Sequence, residues 1–457
     1  MERNIEKYLV DWKKNPDRKP LILRGARQVG KTYSIDKFAK ENYRYYLKIN
    51  IEQDSILKNI FDSKQPSRII DELTVLYQIP LLDSESLLFI DEIQMAPNAI
   101  AALRYFYEER PGLHVIAAGS LLDHTLNEMK YSMPVGRVEF AYMYPLNFNE
   151  FLQALGQIGL VKALEKFTPT LDLSTAIHEK LKEYLRLYFF IGGMPEAVNA
   201  YVKHQDLLKV EKVHSDILSS IEYDFAKYGT RKQQEYLKDV LRYCANNIGR
   251  KVRYVNINKA ANSEMLKDAL YKLGMSRIIH LVHRTKSSEV PLSKYEDKDV
   301  FKPLFMDIGL ACRIAGIKLT DISDLAADFE GALAEQFVGQ EMIAAGDIYS
   351  EQKLYYWQRD AKNANAEIDY LYQIDNRIFP LEVKAGKRGT LKSLHVFLAE
   401  KNKDIGIRLN LDLPSFGENL TANPNLPDKE TISYKLLSLP LYFAGKLKHF
   451  GNILTLQ

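Results

Sequence analysis

The sequence is poor in cysteine. Cys244 and Cys312 are its only two, far apart and without metal-ligand spacing. That excludes a disulfide framework and points to a reducing compartment. It also lacks any apolar run long enough to span a bilayer. The start, Met1-Glu2-Arg3-Asn4-Ile5-Glu6, is charged at once, so no signal peptide is expected and the expected location is the cytoplasm. Charge of one sign is not in excess. Lys and Arg number 62 against 59 Asp and Glu, a formal net charge of +3. Such a total announces no nucleic-acid binder, although a local basic patch fits inside it. Internal repeats and low-complexity stretches are missing as well.

What is present is 46% hydrophobic and 26% charged over 457 residues, the composition of a soluble globular chain of two to four domains. The first part alternates strand and helix patterns, as an α/β sheet does. Strands are expected at Leu21 to Leu23, Tyr45 to Asn50, Leu87 to Asp91, Leu113 to Ala118 and Val138 to Tyr144. Helices are expected at Thr32 to Glu41 and Asn98 to Glu109. From Pro145 the spacing turns helical, with Phe148 to Leu155 and Thr175 to Phe190 broken by Gly192-Gly193-Met194-Pro195. Around Tyr236 to Val282 a helix, a β-like piece at Val252 to Val255, two more helices and a strand at Ile278 to Val282 suit a winged helix-turn-helix. Ala332 to Ala345 reads as an amphipathic helix, strands return from Tyr355 to Val383, and the end from Ser433 is strand-rich.

Gly25-Ala26-Arg27-Gln28-Val29-Gly30-Lys31-Thr32, followed by Tyr33, fits G-x-x-x-x-G-K-[ST] between an expected strand and an expected helix. The chemistry needs that pattern. Glycines let the backbone wrap close to phosphate, and successive N–H groups at a helix start supply positive potential. Lys31 is the candidate for the β- and γ-phosphates and Thr32 for Mg²⁺. Leu87-Leu88-Phe89-Ile90-Asp91-Glu92 reads as a buried parallel strand whose acidic end meets the nucleotide. Asp91 then serves the Mg²⁺ shell and Glu92 polarises the attacking water. Ser120, after Gly119, is a candidate γ-phosphate sensor, with an ordinary strand-ending turn as the competing reading. Arg137 is a candidate arginine finger toward a neighbouring subunit, with a surface ion pair as an equal alternative.

Those motifs, with Phe-Ile-Asp-Glu-Ile-Gln (89–94), Gly-Arg (136–137), Pro-Leu (145–146) and Gly-Gly-Met-Pro (192–195), resemble an AAA+ ATPase of the prokaryotic branch related to origin-recognition and signal-transduction ATPases. The resemblance implies ATP and Mg²⁺ as cofactors, a sheet of order 5-1-4-3-2, and a helical lid whose Gly193 and Pro195 turn caps the nucleotide. The rest of the chain resembles the C-terminal domain of unknown function usually fused to this ATPase, on Phe305-Met306-Asp307-Ile308-Gly309-Leu310 and Tyr356-Trp357 through Glu367-Ile368-Asp369.

A second set of residues lies in that part. Asp369 stands in Glu367-Ile368-Asp369-Tyr370-Leu371, and Glu382 and Lys384 in Pro380-Leu381-Glu382-Val383-Lys384. Strand alternation puts Glu382 and Lys384 on one face. A hairpin joining the segments sets Asp369 beside Glu382. Two carboxylates there suit Mg²⁺, Lys384 suits a water, and Glu335 on the preceding helix offers another carboxylate. The order resembles the PD-(D/E)xK nuclease core. Charge on an exposed hairpin and an inactive nuclease-like scaffold are the competing readings. The basic run Lys384-Ala385-Gly386-Lys387-Arg388-Gly389 is either a phosphate contact or a solvated turn. Arg242, Arg250, Lys251 and Arg253 raise the same choice between DNA contact and packing. Tyr355-Tyr356-Trp357 reads as strand packing rather than a base-stacking platform.

The expected architecture is therefore α/β throughout. A P-loop AAA+ parallel sheet occupies 1–145, a helical lid and linker 146–228, a winged helix 229–300, and a restriction-endonuclease-like α/β domain 301–457. Expected partners are DNA, a protein, or further copies of the chain, and no membrane.

Overall fold

Short apolar runs set the first sheet. The computed structural model describes the chain except residues 55, 120–121, 123–135, 169–172, 318–326, 361–365, 386–389, 425, 427–430 and 452–457. Ser120 and the basic run from Gly386 to Gly389 lie outside the described residues. By packing the chain forms two units. The first is residues 1–145 with Tyr271–Ile278 and Gly346–Glu351; the second is the remainder.

In the first unit, β1 (Leu21–Arg24), β2 (Tyr45–Asn50), β3 (Ser86–Asp91), β4 (His114–Ala118) and β5 (Glu139–Tyr142) form an all-parallel sheet in the order β2-β3-β4-β1-β5. Read from its other edge, that is the expected 5-1-4-3-2. Every residue of β3 and β4 is buried, as a central parallel strand covered on both faces requires. The helices Lys31–Asn42, Pro66–Tyr77 and Pro97–Glu109 supply crossovers. Ile69, Leu73, Ile100, Leu103 and Phe106 join Leu88 and Ile90 in one apolar core. Full burial of each such side chain is worth about 1.5–3 kcal/mol. β1 runs between β4 and the edge strand β5, so the loop leaving β1 emerges inside the sheet edge.

The second unit has helices first. Phe148–Ala154 starts on a capping box in which Asn147 and Glu150 exchange side chain-to-backbone bonds. Thr175–Ile191, Pro195–His204, Leu207–Asp224 and Arg231–Asn246 follow. An eight-stranded sheet follows, built from β6 (Ile279–Thr285), β7 (Glu296–Phe305), β8 (Tyr355–Gln358), β9 (Glu367–Ile374), β10 (Arg377–Val383), β11 (Ile405–Asn410), β12 (Ser415–Ala422) and β13 (Ile432–Pro440). Its order is β12-β13-β11-β10-β9-β8-β6-β7. Four neighbouring pairs are antiparallel and three, β6–β8, β10–β11 and β11–β13, are parallel; the consecutive strands β10 and β11 therefore need a crossover. The helix Lys392–Lys401 supplies it, packing Leu394, Phe397 and Leu398 against Trp357 and Ile368.

Three expectations change. The piece at Val252 to Val255 is not a strand: the Val252 N–H donates to the Phe301 carbonyl of β7 at 3.1 Å, and Tyr254–Ile257 is one helical turn. A single full helix, Ser263–Met275, follows, and the β6–β7 hairpin belongs to the large sheet instead of forming a free wing. The helix expected to be amphipathic spans Ala327–Ala344 and is buried from Gln336 to Ile343. Its polar residues are used inside: Gln336 exchanges bonds with the Phe305 backbone, and Gln340 accepts from the Ile308 N–H. Finally, the strand pattern stops at Pro440. A 3-10 helix, Leu441–Phe450, follows, with Phe443 and Phe450 against Phe167.

Candidate functional site

β1 delivers the chain into Gly25, where φ is +154° and a Cβ would meet the Met143 carbonyl oxygen at 2.2 Å. Only glycine fits there. Gly30 takes φ +96° as the cap of the helix Lys31–Asn42. Between them Gln28 also holds a left-handed φ of 64°. The loop thus turns its N–H groups toward a helix start, a ready anion cradle. Ala26, Val29 and Lys31 are buried. Arg3 pins the loop from the N-terminal segment, donating to the Val29 carbonyl at 3.0 Å and the Tyr144 carbonyl at 2.6 Å.

The Lys31 ammonium folds back onto the loop, donating to the carbonyls of Gly25 at 2.9 Å and Ala26 at 2.8 Å. Burial pushes it down to about 8, against the pull of Glu92 and Asp91. Its acceptors are neutral, so an anion can replace them. The Thr32 hydroxyl donates to Asp91 Oδ2 at 3.0 Å, which brings the two expected Mg²⁺ residues together. Asp91 is buried at the end of β3, and that burial raises its carboxyl. Its other oxygen accepts from the Glu92 N–H at 3.1 Å. Glu92 sits in the left-handed region at φ 52°, turned off the strand, and its carboxylate accepts from Gln94 Nε2. A hydroxyl and a carboxylate in contact beside a phosphate-wrapping loop fit a divalent cation. Tyr33, next in the helix, is exposed.

Arg277 belongs to the same unit and was not singled out by any motif. Its side chain is 5% exposed, pairs with Glu351 at 2.8 Å, and lies 4.9 Å over the Tyr142 ring. Its charge reaches Lys31 and opposes it. No motif in the sequence marks it, since it stands just past the helix Ser263–Met275, far along the chain from the P-loop. Arg137 forms an exposed ion pair with Glu108 at 2.9 Å, the surface alternative to an arginine finger.

In the second unit, Gly193 uses both main-chain groups locally. Its N–H donates to the buried Asp307 carboxylate at 2.6 Å, and its carbonyl accepts from the Leu146 N–H at 2.7 Å. Burial raises Asp307 to about 6 against the backbone N–H groups of Gly193, Leu310 and Gly309. Pro195 opens the helix Pro195–His204.

The β9–β10 hairpin forms, with Leu381 opposite Tyr370. Asp369 accepts from the Val383 N–H at 2.7 Å, and Lys384 pairs with Glu382 at 2.5 Å. Glu335 faces the same cluster, so the four expected residues come together. Three others that sequence reasoning did not assign to it are there too. Lys302 of β7 bridges Glu335 at 2.8 Å and Glu367 at 2.7 Å, and Lys251 pairs with Glu367 at 3.0 Å. Lys251 is therefore spoken for within the fold. Burial raises Glu382 to about 8 and also lifts Glu335 and Asp369. Burial alone would lower Lys302, but Glu335, Glu367 and Asp369 hold it well above its ordinary value. Glu367, paired with two lysines, is instead held below its ordinary value despite its burial. Among the described residues no group of three or more His, Cys, Asp or Glu is arranged to hold a metal ion.

The phosphate-wrapping loop leaves a parallel sheet of the expected order, and comparison with known families marks the same region. Residues 17–152 match a family model described as an AAA domain. Residues 182–321 and 330–419 match two models described as domains of unknown function. Among solved structures the chain is similar to a Walker-type ATPase of Pyrococcus abyssi, at 17% identity and TM-score 0.43 over 69% of this chain and 95% of that one. It is also similar to the ORC2 protein of Aeropyrum pernix in ADPNP–ADP complexes, at 13% and 0.37 over 70% and 92%. The ORC1 protein of Aeropyrum pernix in complex with DNA follows at 12% and 0.30, over 69% and 91%. No curated protein matches. Among the described residues no helix is long and apolar enough to cross a membrane.

Proposed function

We propose that the chain binds ATP with Mg²⁺ at residues 25–32 and hydrolyses it, and that the nucleotide state acts on a C-terminal domain that engages DNA or a protein partner without cutting. The observation that carries the first half is the Thr32–Asp91 contact at 3.0 Å beside a lysine held only by loop carbonyls. The backbone N–H groups of residues 25–32, with Lys31, bind the phosphates. Thr32 and Asp91 hold the magnesium, which when bound neutralises phosphate charge. Glu92, one residue beyond Asp91, orients and deprotonates the water. Gln94 fixes the Glu92 carboxylate in the meantime. The test is ATP turnover by the whole chain with Mg²⁺: Lys31→Ala abolishes nucleotide uptake, whereas Glu92→Gln keeps uptake and loses turnover.

For the second half the alternatives are a Mg²⁺-dependent DNA nuclease and a non-cleaving switch or assembly factor. Asp369, Glu382 and Lys384 meeting on one hairpin favours nuclease ancestry. The lysine bridging Glu335 and Glu367 favours the non-cleaving reading, which we adopt. Incubating the protein with single- and double-stranded DNA in Mg²⁺ or Mn²⁺ decides it, and any cleavage lost in Lys384→Ala restores the nuclease. A homo-oligomer sharing sites through Arg137 is the remaining option. Its mark is an ATPase rate that rises with protein concentration and falls in Arg137→Ala.

A further inference from the structure

We propose that Lys302 is a resident cation: its ammonium takes the electrostatic place among the carboxylates that a divalent metal would take, so this cluster is closed to Mg²⁺. The inference deepens the non-cleaving reading and rests on it. Lys302 leaves the middle of β7 with its side chain 3% exposed, and reaches Glu335 and Glu367 at 2.8 and 2.7 Å. It also lies 5.1 Å over the Tyr356 ring. A fully buried lysine is kept only where anions surround it.

The other acids are partly engaged within the fold. One Asp369 oxygen is taken by the Val383 N–H, and one Glu382 oxygen by Lys384. Glu367 answers two lysines, Lys302 and Lys251. Glu382 Oε2 is buried without a hydrogen-bond partner. A metal entering beside the Lys302 ammonium would meet like charge at close range in a dry site, which costs far more than in water. Space is short as well. A Cβ at Gly249 would lie 2.6 Å from Glu335 Oε2, so the backbone is already against that carboxylate.

The test is removal of the ammonium with its stem kept, Lys302→Met, in the whole chain without nucleotide. Thermal unfolding is read with and without millimolar Mn²⁺, in parallel with Lys302→Met/Asp369→Asn. We expect wild type to be unmoved by Mn²⁺. Lys302→Met should melt on the order of 10 °C lower, because Glu335 loses its lysine and Glu367 keeps only Lys251. Mn²⁺ should restore several degrees, and Asp369→Asn should remove that rescue, which separates this cluster from the P-loop. Should Lys302→Met melt low and ignore Mn²⁺, the lysine does not stand where a cation would, and the proposal falls. A Mn²⁺ shift in wild type that Asp369→Asn abolishes overturns it too, and decides the matter even if Lys302→Met fails to fold. DNA cleavage by wild type would sink the non-cleaving reading as well, whereas absent rescue without cleavage sinks the Lys302 assignment alone.

Discussion

Two sites in this chain pair lysine with acid, and they differ in what the lysine touches. Lys31 donates to two neutral carbonyls, at 2.9 and 2.8 Å. Lys302 donates to two carboxylates, at 2.8 and 2.7 Å. A buried ammonium on neutral acceptors is under-compensated, and burial drags it down to about 8. An incoming phosphate improves its surroundings. A buried ammonium on carboxylates is already satisfied, is held well above its ordinary value, and gains nothing from a ligand. Similar residue types therefore read as a receptive site in one place and a closed one in the other.

The largest way to break that contrast is Lys31→Ala. It should weaken ATP binding by at least about a hundredfold, roughly 2.7 kcal/mol, by calorimetry on the whole chain. A loss under tenfold would mean that Lys31 is structural. Next comes pH. Phosphate binding favours charged Lys31, and the free protein loses that charge above about 8. ATP affinity should hold below pH 8 and fall about tenfold per pH unit above it. Arg277→Gln sharpens this, because Arg277 opposes the charge on Lys31. The variant should move the fall to higher pH, and a shift to lower pH would contradict the placement.

A smaller effect is expected in the closed cluster. Burial raises Glu382 to about 8. A carboxyl raised in the folded state favours folding where it is protonated, so stability is lost as pH rises from its unfolded value through about 8. Glu382→Gln should flatten that loss. Hydrogen exchange of the β9 and β10 amides between pH 6 and 9 reads it in the intact chain. The smallest effect is Arg137→Ala. That exposed pair with Glu108 should leave monomeric ATPase unchanged, and a loss that appears only as protein concentration rises would revive the arginine finger.

The difference between the sites also explains what was legible in the sequence. The P-loop is local. Gly25, Gly30, Lys31 and Thr32 lie within eight residues, and strand-loop-helix order brings Asp91 to them through parallel pairing alone. Asp369, Glu382 and Lys384 were legible for the same reason, being one hairpin. Lys302 was not, because it reaches Glu335 and Glu367 through sheet order, on a strand separated from β9 by β6 and β8. Arg277 was missed because it lies in a separate segment that packs with residues 1–145. The helix Ala327–Ala344 misled as amphipathic since Gln336, Gln340 and Glu341 are polar yet buried on specific backbone partners. Periodicity reports polarity, and only the fold says where a buried amide finds its bonds.

The most direct trial of the receptive site is single-turnover ATP hydrolysis with excess protein and Mg²⁺, comparing wild type with Glu92→Gln. Wild type should convert bound ATP to ADP, and Glu92→Gln should bind ATP equally but convert it about 10²–10⁴-fold more slowly. Equal conversion by both proteins, or none by wild type while ATP is bound, would contradict a hydrolytic role for the acidic end of β3.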